Sequence, residues 1–197
     1  MEEQTFGQFI SQVRACQACQ ENLPLPAKAV FHAHPRARVL IASQAPGRRA
    51  HASGLPFDDL SGDRLRAWLG VDRATFYDEK KFAMVPMGFC YPGTGKSGDL
   101  APRPECALLW RKKMLQSLPD IDLTLVIGQY ALAWHLGTGQ KESLTATVAD
   151  WERYWPKLLP MPHPSPRNLG WLKANPWFEK DIIPTLRTRI RELIRSD

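Results

Sequence analysis

Three short stretches of the chain combine turn-forming residues with side chains that can bind or activate a ligand. The first, residues 43–47 (Ser-Gln-Ala-Pro-Gly), follows an apolar run at residues 37–42 that has the composition of a buried strand. The second, residues 54–57 (Gly-Leu-Pro-Phe), places an aromatic ring in a loop, and the third, residues 161–166, holds the imidazole of His163 between prolines. Loops that follow buried strands lie at the carboxyl edge of an α/β sheet, where such folds bind ligands. We therefore predict that the three stretches meet at one pocket.

The four cysteines form a second candidate site. Cys16 and Cys19 are a C-x2-C pair, and Cys90 and Cys106 form a looser pair with fifteen residues between them. Four thiolates in two groups can close a tetrahedral zinc site or hold a [4Fe–4S] cluster. The alternatives are buried free thiols beside a chance C-x-x-C, or a redox pair. The redox pair is disfavoured because the C-x-x-C does not lie at a strand-to-helix turn.

Hydrophobic periodicity divides the chain into strands that alternate with helices. Apolar runs predict strands at residues 37–42, 82–87 and 123–128, with weaker candidates at 145–148 and 155–161. Helical spacing predicts helices at 5–14, 61–70, 105–118, 129–136 and 177–194. In the helix at 105–118, the inward-facing residues are expected to be Leu108, Leu109, Met114 and Leu115, and the outward-facing ones Arg111, Lys112 and Lys113. The alternation predicts an α/β fold: a single domain over residues 1–197, with α/β/α layers around a short, mostly parallel sheet of about four strands.

The glycine-rich segment at residues 93–97 (Gly-Thr-Gly-Lys-Ser) is similar to part of a P-loop, but it does not satisfy that motif. A P-loop needs glycine five residues before the Gly-Lys pair, where this chain has Cys90. The prolines at 102 and 104 also prevent a helix from starting directly after the serine. We instead expect Lys96 to contact a phosphate, with a solvated loop as the alternative.

Composition narrows the class of protein and its partners. The chain has 197 residues, a net charge of +6 and a pI near 9.3. This charge favours a polyanionic partner such as DNA, although a basic surface can also serve solubility alone. No apolar run approaches the ~20 residues that span a bilayer, and the N-terminus lacks a signal-peptide pattern. We expect a cytoplasmic monomer of prokaryotic type, nucleoid-associated when it binds DNA and without a membrane partner.

These motifs together resemble the uracil-DNA glycosylase superfamily, and most closely its iron–sulfur branch (family 4). The matching features run from about Cys16 to Leu186, and it is their order and spacing that make the resemblance specific. They are the two cysteine pairs, the Pro-Gly turn after the first strand, the Gly-x-Pro-Phe segment, the Ile-Gly pair at 127–128 and the His-Pro-Ser segment at 163–165. The resemblance implies an α/β/α fold, a [4Fe–4S] cluster held by the four cysteines (alternatively zinc), and hydrolysis of an N-glycosidic bond in DNA.

The resemblance also implies a role for each residue at the predicted pocket. The target base is flipped out of the DNA and stacks on Phe57, while His163 donates a hydrogen bond to the departing base. Ser165 and the backbone N–H groups of Ala45 and Gly47 grip the base or a phosphate. Finally, Arg167 wedges into the gap in the DNA or clamps a phosphate.

Two positions depart from the pattern of the family. Gln44 stands where the family has an acidic residue, and an amide can orient water but cannot take its proton. Either anion stabilisation carries most of the rate, or Asp58 or Asp59 acts as the base, or activity is low. Pro86 stands where relatives carry the asparagine that reads the edge of uracil.

These departures leave three functions open. The first is a DNA glycosylase of base-excision repair that removes uracil or a related damaged base. The second is a non-catalytic or damage-sensing DNA-binding protein on the same scaffold. The third is a zinc-stabilised protein that does not act on DNA.

Overall fold

The computed structural model describes residues 3–96, 98–139 and 141–195. Its strands are β1 (Val39–Ala42), β2 (Phe82–Met84), β3 (Thr94–Gly95), β4 (Gly98–Asp99), β5 (Leu123–Ile127) and β6 (Leu158–Met161). Four of them form a parallel sheet in the order β2-β1-β5-β6, while β3 and β4 form a separate antiparallel hairpin. A proline, Pro160, is tolerated in β6 because this strand lies at the edge of the sheet.

Both faces of the central sheet are buried, because successive residues of a strand point to opposite sides. Val39 and Ile41 of β1 belong to one buried cluster, which includes apolar residues from the C-terminal end of the chain such as Ile190 and Leu193. Leu40 belongs to a second cluster on the opposite face, and Ala42 to a third. A continuous apolar run is therefore required in β1, as the sequence pattern indicated. The predicted three-layer α/β/α fold is confirmed.

Helices cover both faces of the sheet. They are α1 (Glu3–Arg14), α2 (Arg48–Ser53), α3 (Leu60–Leu69), α4 (Arg73–Phe76), α5 (Pro104–Cys106), α6 (Lys112–Gln116), α7 (Gln129–Leu136), α8 (Leu144–Ala149), α9 (Leu169–Ala174) and α10 (Ile183–Arg195). Two π-helical segments, Ala107–Arg111 and Phe178–Ile182, lead into α6 and α10. Among the residues described, none of these helices combines the length and apolar character needed to cross a bilayer.

Two predictions of secondary structure are wrong or only partly right. Residues 145–148 are helical and not a strand, because Ser143 caps α8 by accepting a hydrogen bond from Ala146 N at 3.1 Å. A four-residue apolar run cannot by itself distinguish a strand from a helix. The strand predicted at 155–161 does form, but it begins only at Leu158.

The helix predicted at 105–118 is interrupted by the π-helical segment, and the predicted faces are wrong within that segment. A π turn holds one residue more than an α turn, so side chains within it do not follow the α-helical spacing on which the prediction was based. Leu108 is 84% exposed and Leu109 is also exposed, whereas Arg111 is only 1% exposed. The expectation that Leu108 and Leu109 face inward and Arg111 faces outward is therefore wrong. Beyond the π segment the prediction is confirmed, since Met114 is buried and Lys112 and Lys113 are exposed.

The carboxyl ends of the parallel strands lie at one edge of the sheet and lead directly into loops. β1 continues into the 43–47 turn, β2 into Val85 and Pro86, and β6 into the loop that carries His163. The exit of β2 is hydrogen-bonded to the turn, since Met87 N donates to Ser43 O at 2.8 Å and Gly88 N to Gln44 O at 3.0 Å. This edge therefore brings together loops that are far apart in sequence.

Candidate active site

A cavity of about 540 Å³ opens at the carboxyl edge of the sheet. Its walls come from the 43–47 turn, the 56–61 segment, the exit of β2, the start of β4 and the 163–168 segment. Seven of the residues predicted for the site line it, namely Gln44, Ala45, Gly47, Phe57, His163, Ser165 and Arg167. The three stretches that the sequence pattern assigned to one pocket do meet there.

The phenyl ring of Phe57 is held at the cavity wall by an unusual backbone conformation. Phe57 has φ of 56°, in the left-handed region that non-glycine residues rarely adopt and that costs roughly 1–3 kcal/mol. Gly62 makes this possible, because a Cβ at position 62 would overlap the Phe57 carbonyl oxygen and lie 2.7 Å from its carbonyl carbon. Tyr77 donates a hydrogen bond to Pro56 O at 3.0 Å, and the ring of Phe57 meets Phe76 edge to face at 6.4 Å. The ring is thus fixed before any ligand arrives.

The protonation state of His163 follows from its own loop. Ser165 N donates to His163 Nδ1 at 3.2 Å, so Nδ1 is an acceptor and the proton of the neutral ring lies on Nε2. Burial lowers the pKa of His163, with the positive charge of Arg167 acting in the same direction, while Asp59 and Asp99 oppose the shift. The site therefore holds a neutral imidazole with an Nε2–H donor.

The loop around His163 is braced on both sides. Asn168 Nδ2 donates to His163 O at 2.8 Å, and Arg64 Nη1 donates to Pro164 O at 3.0 Å. The hydroxyl of Ser165 accepts from Arg167 N at 3.2 Å, which leaves its own proton available as a donor. These contacts hold the imidazole and the serine in one orientation.

The two predicted cationic residues, Arg167 and Lys96, are both exposed, and Arg167 lines the cavity. The guanidinium of Arg167 lies against Gly98, which has φ of 136° and whose missing side chain leaves room for it. Lys96 is exposed near the tip of the β3–β4 hairpin and does not line the cavity. Both positions are accessible to a long polyanion that lies across the opening.

The side chain of Gln44 is engaged by protein. Its Nε2 donates to Leu100 O at 2.9 Å and approaches Asp99 O at 3.5 Å. Gln44 therefore links the end of the β3–β4 hairpin, at residues 99–100, to the turn after β1 by hydrogen bonding.

Carboxylates reach the cavity, but not the pair that the sequence suggested. Asp59 lines it, whereas Asp58 is absent from its lining and forms an ion pair with Arg73 at 2.9 Å. Hydrogen bonds from Arg73 and from Ser53 lower the pKa of Asp58. Asp58 is thus wrong as a candidate base. Asp99 also lines the cavity, and sequence analysis missed it because its glycine-rich segment had no predicted structure.

The comparison with protein families agrees with this arrangement. The sequence model of the Uracil DNA glycosylase superfamily matches residues 31–187. The chain belongs to this superfamily. Membership supports a DNA glycosylase, that is, a hydrolase of base-excision repair whose partner is DNA. The matched range begins after Cys16 and Cys19, so it does not bear on the iron–sulfur branch.

In this glycosylase-like site, Pro86 lies in the cavity wall and offers no side-chain hydrogen bond. Its carbonyl is turned away to a buried cation, because Arg111 Nη1 donates to Pro86 O at 3.0 Å and to Val85 O at 3.1 Å. The other arm of Arg111 lies 2.7 Å from His135 Nε2, and the guanidinium stacks on Trp134 at 4.8 Å. Burial, together with the charge of Arg111, lowers the pKa of His135 to about 3, so this histidine is a neutral acceptor.

The four cysteines line a second, small cavity, together with Phe89, Leu109 and Trp110. Trp110 Nε1 donates to Cys16 Sγ at 3.2 Å, and Phe89 N donates to Cys106 Sγ at 3.3 Å. Burial raises the pKa of Cys90 to about 11 and that of Cys106 to about 12. None of the four forms a disulfide. Among the described residues, no group of three or more His, Cys, Asp or Glu side chains is placed to hold a metal ion.

Proposed function

We propose that this protein is a DNA glycosylase that flips a damaged base, uracil or another deaminated base, into the 540 Å³ cavity and hydrolyses its N-glycosidic bond. The observation that carries this proposal is the pairing of two groups at one cavity. One is an aromatic ring, Phe57, on a rigid backbone, and the other is a neutral imidazole, His163, whose Nε2–H is a donor.

The chemistry requires both groups. A base in a duplex must leave the stack before it can be reached, at a cost of a few kcal/mol, and stacking on an aromatic ring returns about 1–3 kcal/mol. When the bond from C1′ to the base breaks, the electron pair stays on the base and the sugar gains positive charge. The Nε2–H of His163 stabilises the negative charge on the base oxygen without giving up its proton. Fixed donors of this kind are usually the largest catalytic term.

The remaining residues of the cavity bind and orient. The Ser165 hydroxyl and the N–H groups of Ala45 and Gly47 contact the base or its phosphate. Arg167 fills the gap left in the duplex or holds a phosphate, and Lys96 meets the backbone further along. Since Pro86 cannot read the edge of a pyrimidine with a side-chain amide, we expect a broader range of deaminated bases than uracil alone.

The direct test is incubation of the purified protein with oligonucleotides that contain uracil, hypoxanthine or xanthine, both single- and double-stranded. Abasic product is detected by alkaline strand cleavage. Release of at least one base by the wild type, abolished in His163→Ala, supports the proposal. No release from any substrate, by protein that binds DNA, refutes the catalytic function.

The second candidate is a damage-sensing protein that binds DNA without base release. It is favoured by one observation. Gln44 stands where the family has an acid, and its side-chain amide is already hydrogen-bonded to the backbone carbonyl of Leu100. Such a protein would bind lesion-containing DNA more tightly than undamaged DNA, with a steep salt dependence, and would leave the lesion intact. The base-release assay separates the two.

We further propose that Cys16, Cys19, Cys90 and Cys106 hold a [4Fe–4S] cluster. The support is chemical: four thiols line one cavity, two of them accept N–H hydrogen bonds, and the surroundings are largely apolar. Arg111 adds a second argument, because this buried cation has no carboxylate partner in an ion pair among the described residues and lies near Cys106. Anionic thiolates with a bound cluster would supply the missing negative charge.

When bound, such a cluster would tie the N-terminal pair to the two later cysteines and contribute to folding. Iron and acid-labile sulfide analysis of protein purified without oxygen tests this proposal. About four iron atoms per chain, with visible charge-transfer absorption, are expected. One zinc and no colour would favour the zinc alternative instead.

A further inference from the structure

The turn after β1 lacks an acid, but two carboxylates from other segments approach it. A Cβ built on Gly47 would lie 3.5 Å from Asp99 Oδ2 and 4.0 Å from Asp59 Oδ2. Both residues line the main cavity, and both carboxylates act electrostatically on His163. In the family, the acidic residue lies within this turn. Here Asp99 and Asp59, which lie outside the turn, bring negative charge close to it.

The two carboxylates differ in what else they bind. Asp59 is the N-cap residue of α3, and its Oδ1 accepts a hydrogen bond from Gly62 N at 3.0 Å. The Asp59 carboxylate therefore already interacts with the positive end of a helix dipole. Within the part of the chain that the structure describes, Asp99 Oδ1 accepts one hydrogen bond, from the neutral hydroxyl of Thr94 at 3.2 Å. Thr94 is itself paired with the hydroxyl of Tyr91 at 2.6 Å. The second oxygen of Asp99 faces the turn.

Gln44 holds Asp99 in this position. The amide donates to the backbone carbonyl at Leu100 and approaches that of Asp99, so the residue at the acid's usual place anchors the strand that carries another acid. Gln44 is accordingly a positioning residue.

We propose that Asp99 is the general base of the reaction and replaces the acid that position 44 lacks. The inference rests on the proposed glycosylase function. In the step, a water molecule attacks C1′ of the flipped nucleotide, and a C1′–O bond forms as the C1′–N bond breaks. The bonding electron pair leaves with the base, where the Nε2–H of His163 stabilises it. The proton released by water passes to the Asp99 carboxylate, which later returns it to solvent or to the free base.

The test compares single-turnover base release by wild type, Asp99→Asn, Asp59→Asn and Asp58→Asn on the base that the wild type releases fastest. Binding to DNA that contains an abasic site is measured in parallel. Asp58→Asn is the matched control, since Asp58 lies outside the cavity and pairs with Arg73. Asp59→Asn keeps the helix cap, because asparagine accepts the same hydrogen bond.

We expect Asp99→Asn to lower the single-turnover rate by about 10²- to 10⁴-fold, the usual worth of a general base. Its affinity for abasic DNA should be unchanged or higher, because a negative charge is removed. Asp59→Asn should lose less rate, and Asp58→Asn should match the wild type. Asp99→Asn at the wild-type rate, or a larger loss in Asp59→Asn, would overturn the assignment while leaving the glycosylase function intact. A wild type that releases no base would instead remove the proposed function, and this inference with it.

A double-mutant cycle tests the role of Gln44. Gln44→Ala should lower the rate without weakening DNA binding, and it should have little further effect in the Asp99→Asn background. Additive losses in the double variant would show that Gln44 acts independently of Asp99.

Discussion

Replacing His163 separates the catalytic role that we propose for it from its structural one. In His163→Ala, the chain loses the Nε2–H donor that faces the cavity and also the acceptor of the 3.2 Å hydrogen bond from Ser165 N. In His163→Asn, the side-chain oxygen can take the place of Nδ1 and restore that hydrogen bond, but no group replaces the Nε2–H. The two variants should therefore differ in stability and agree in rate.

The magnitudes follow from these contacts. One fixed donor aimed at developing negative charge is worth about 2.7–4 kcal/mol, which at about 1.36 kcal/mol per factor of ten is a loss of roughly 100- to 900-fold in both variants. The internal hydrogen bond is worth about 1 kcal/mol. For a chain of this size, that energy lowers the Tm of His163→Ala by about 2–4 °C. His163→Asn should melt close to the wild type.

The assay is single-turnover base release with enzyme in excess, accompanied by a thermal melt of each variant. His34→Ala is a matched control. His34 also precedes a proline and accepts at Nδ1 from the backbone N–H two residues on, Arg36 N at 3.1 Å, yet it lies outside the cavity. It should lose a similar amount of stability and no activity. A wild-type rate in His163→Asn would refute the donor role, since that variant keeps the loop and lacks only the Nε2–H.

Three further changes test other parts of the site. Gly62→Ala should lower the urea midpoint by the equivalent of about 1–3 kcal/mol and weaken DNA binding, because the new methyl group displaces the Phe57 backbone. Gly7→Ala, in a helix with open space around it, should lose nothing. Gln44→Glu should lower the rate, because its carboxylate faces the Leu100 carbonyl in place of the amide; a faster enzyme would show that position 44 is the seat of the base. Cys106→Ala in cluster-loaded protein should lower Tm by more than about 6 °C, equivalent to at least roughly 2 kcal/mol, and an unchanged Tm would show that the thiols are not structural ligands.

The convergence of the three stretches could be predicted because it depends on a simple rule. Parallel strands put their carboxyl ends at one edge, so Gln44 and His163 had to approach each other once β1 and β6 were both assigned to the sheet. The orientation of Phe57, in contrast, could not be predicted from the sequence. Its left-handed backbone depends on the close approach of Gly62, a contact between two segments that no local pattern reports.

The burial of Arg111 could not be predicted for a related reason. The apolar spacing of the segment fits an α-helix, and a single π turn is enough to change which side chains within it are buried. The amino-acid composition of a π turn does not identify it reliably in a sequence, although the turn has a large effect on the direction of its side chains. The result is a buried cation hydrogen-bonded to the carbonyl of Pro86 in the wall of the main cavity, where the sequence pattern indicated a solvated one.

The role that we propose for Asp99 makes a missing motif residue weak grounds for inferring loss of function. The reaction requires a negative charge at a certain position in the active site, and a carboxylate from any segment that reaches this position can supply it. Here the β3–β4 hairpin folds over the turn after β1, with Gly98 adopting a positive φ where the chain passes the Arg167 guanidinium. An acid at position 44 would repel the carbonyl oxygens of that hairpin, whereas the amide of Gln44 binds them. Gln44 and Asp99 therefore belong to one arrangement. The amide at position 44, which an acid could not replace, binds the segment that carries the Asp99 carboxylate.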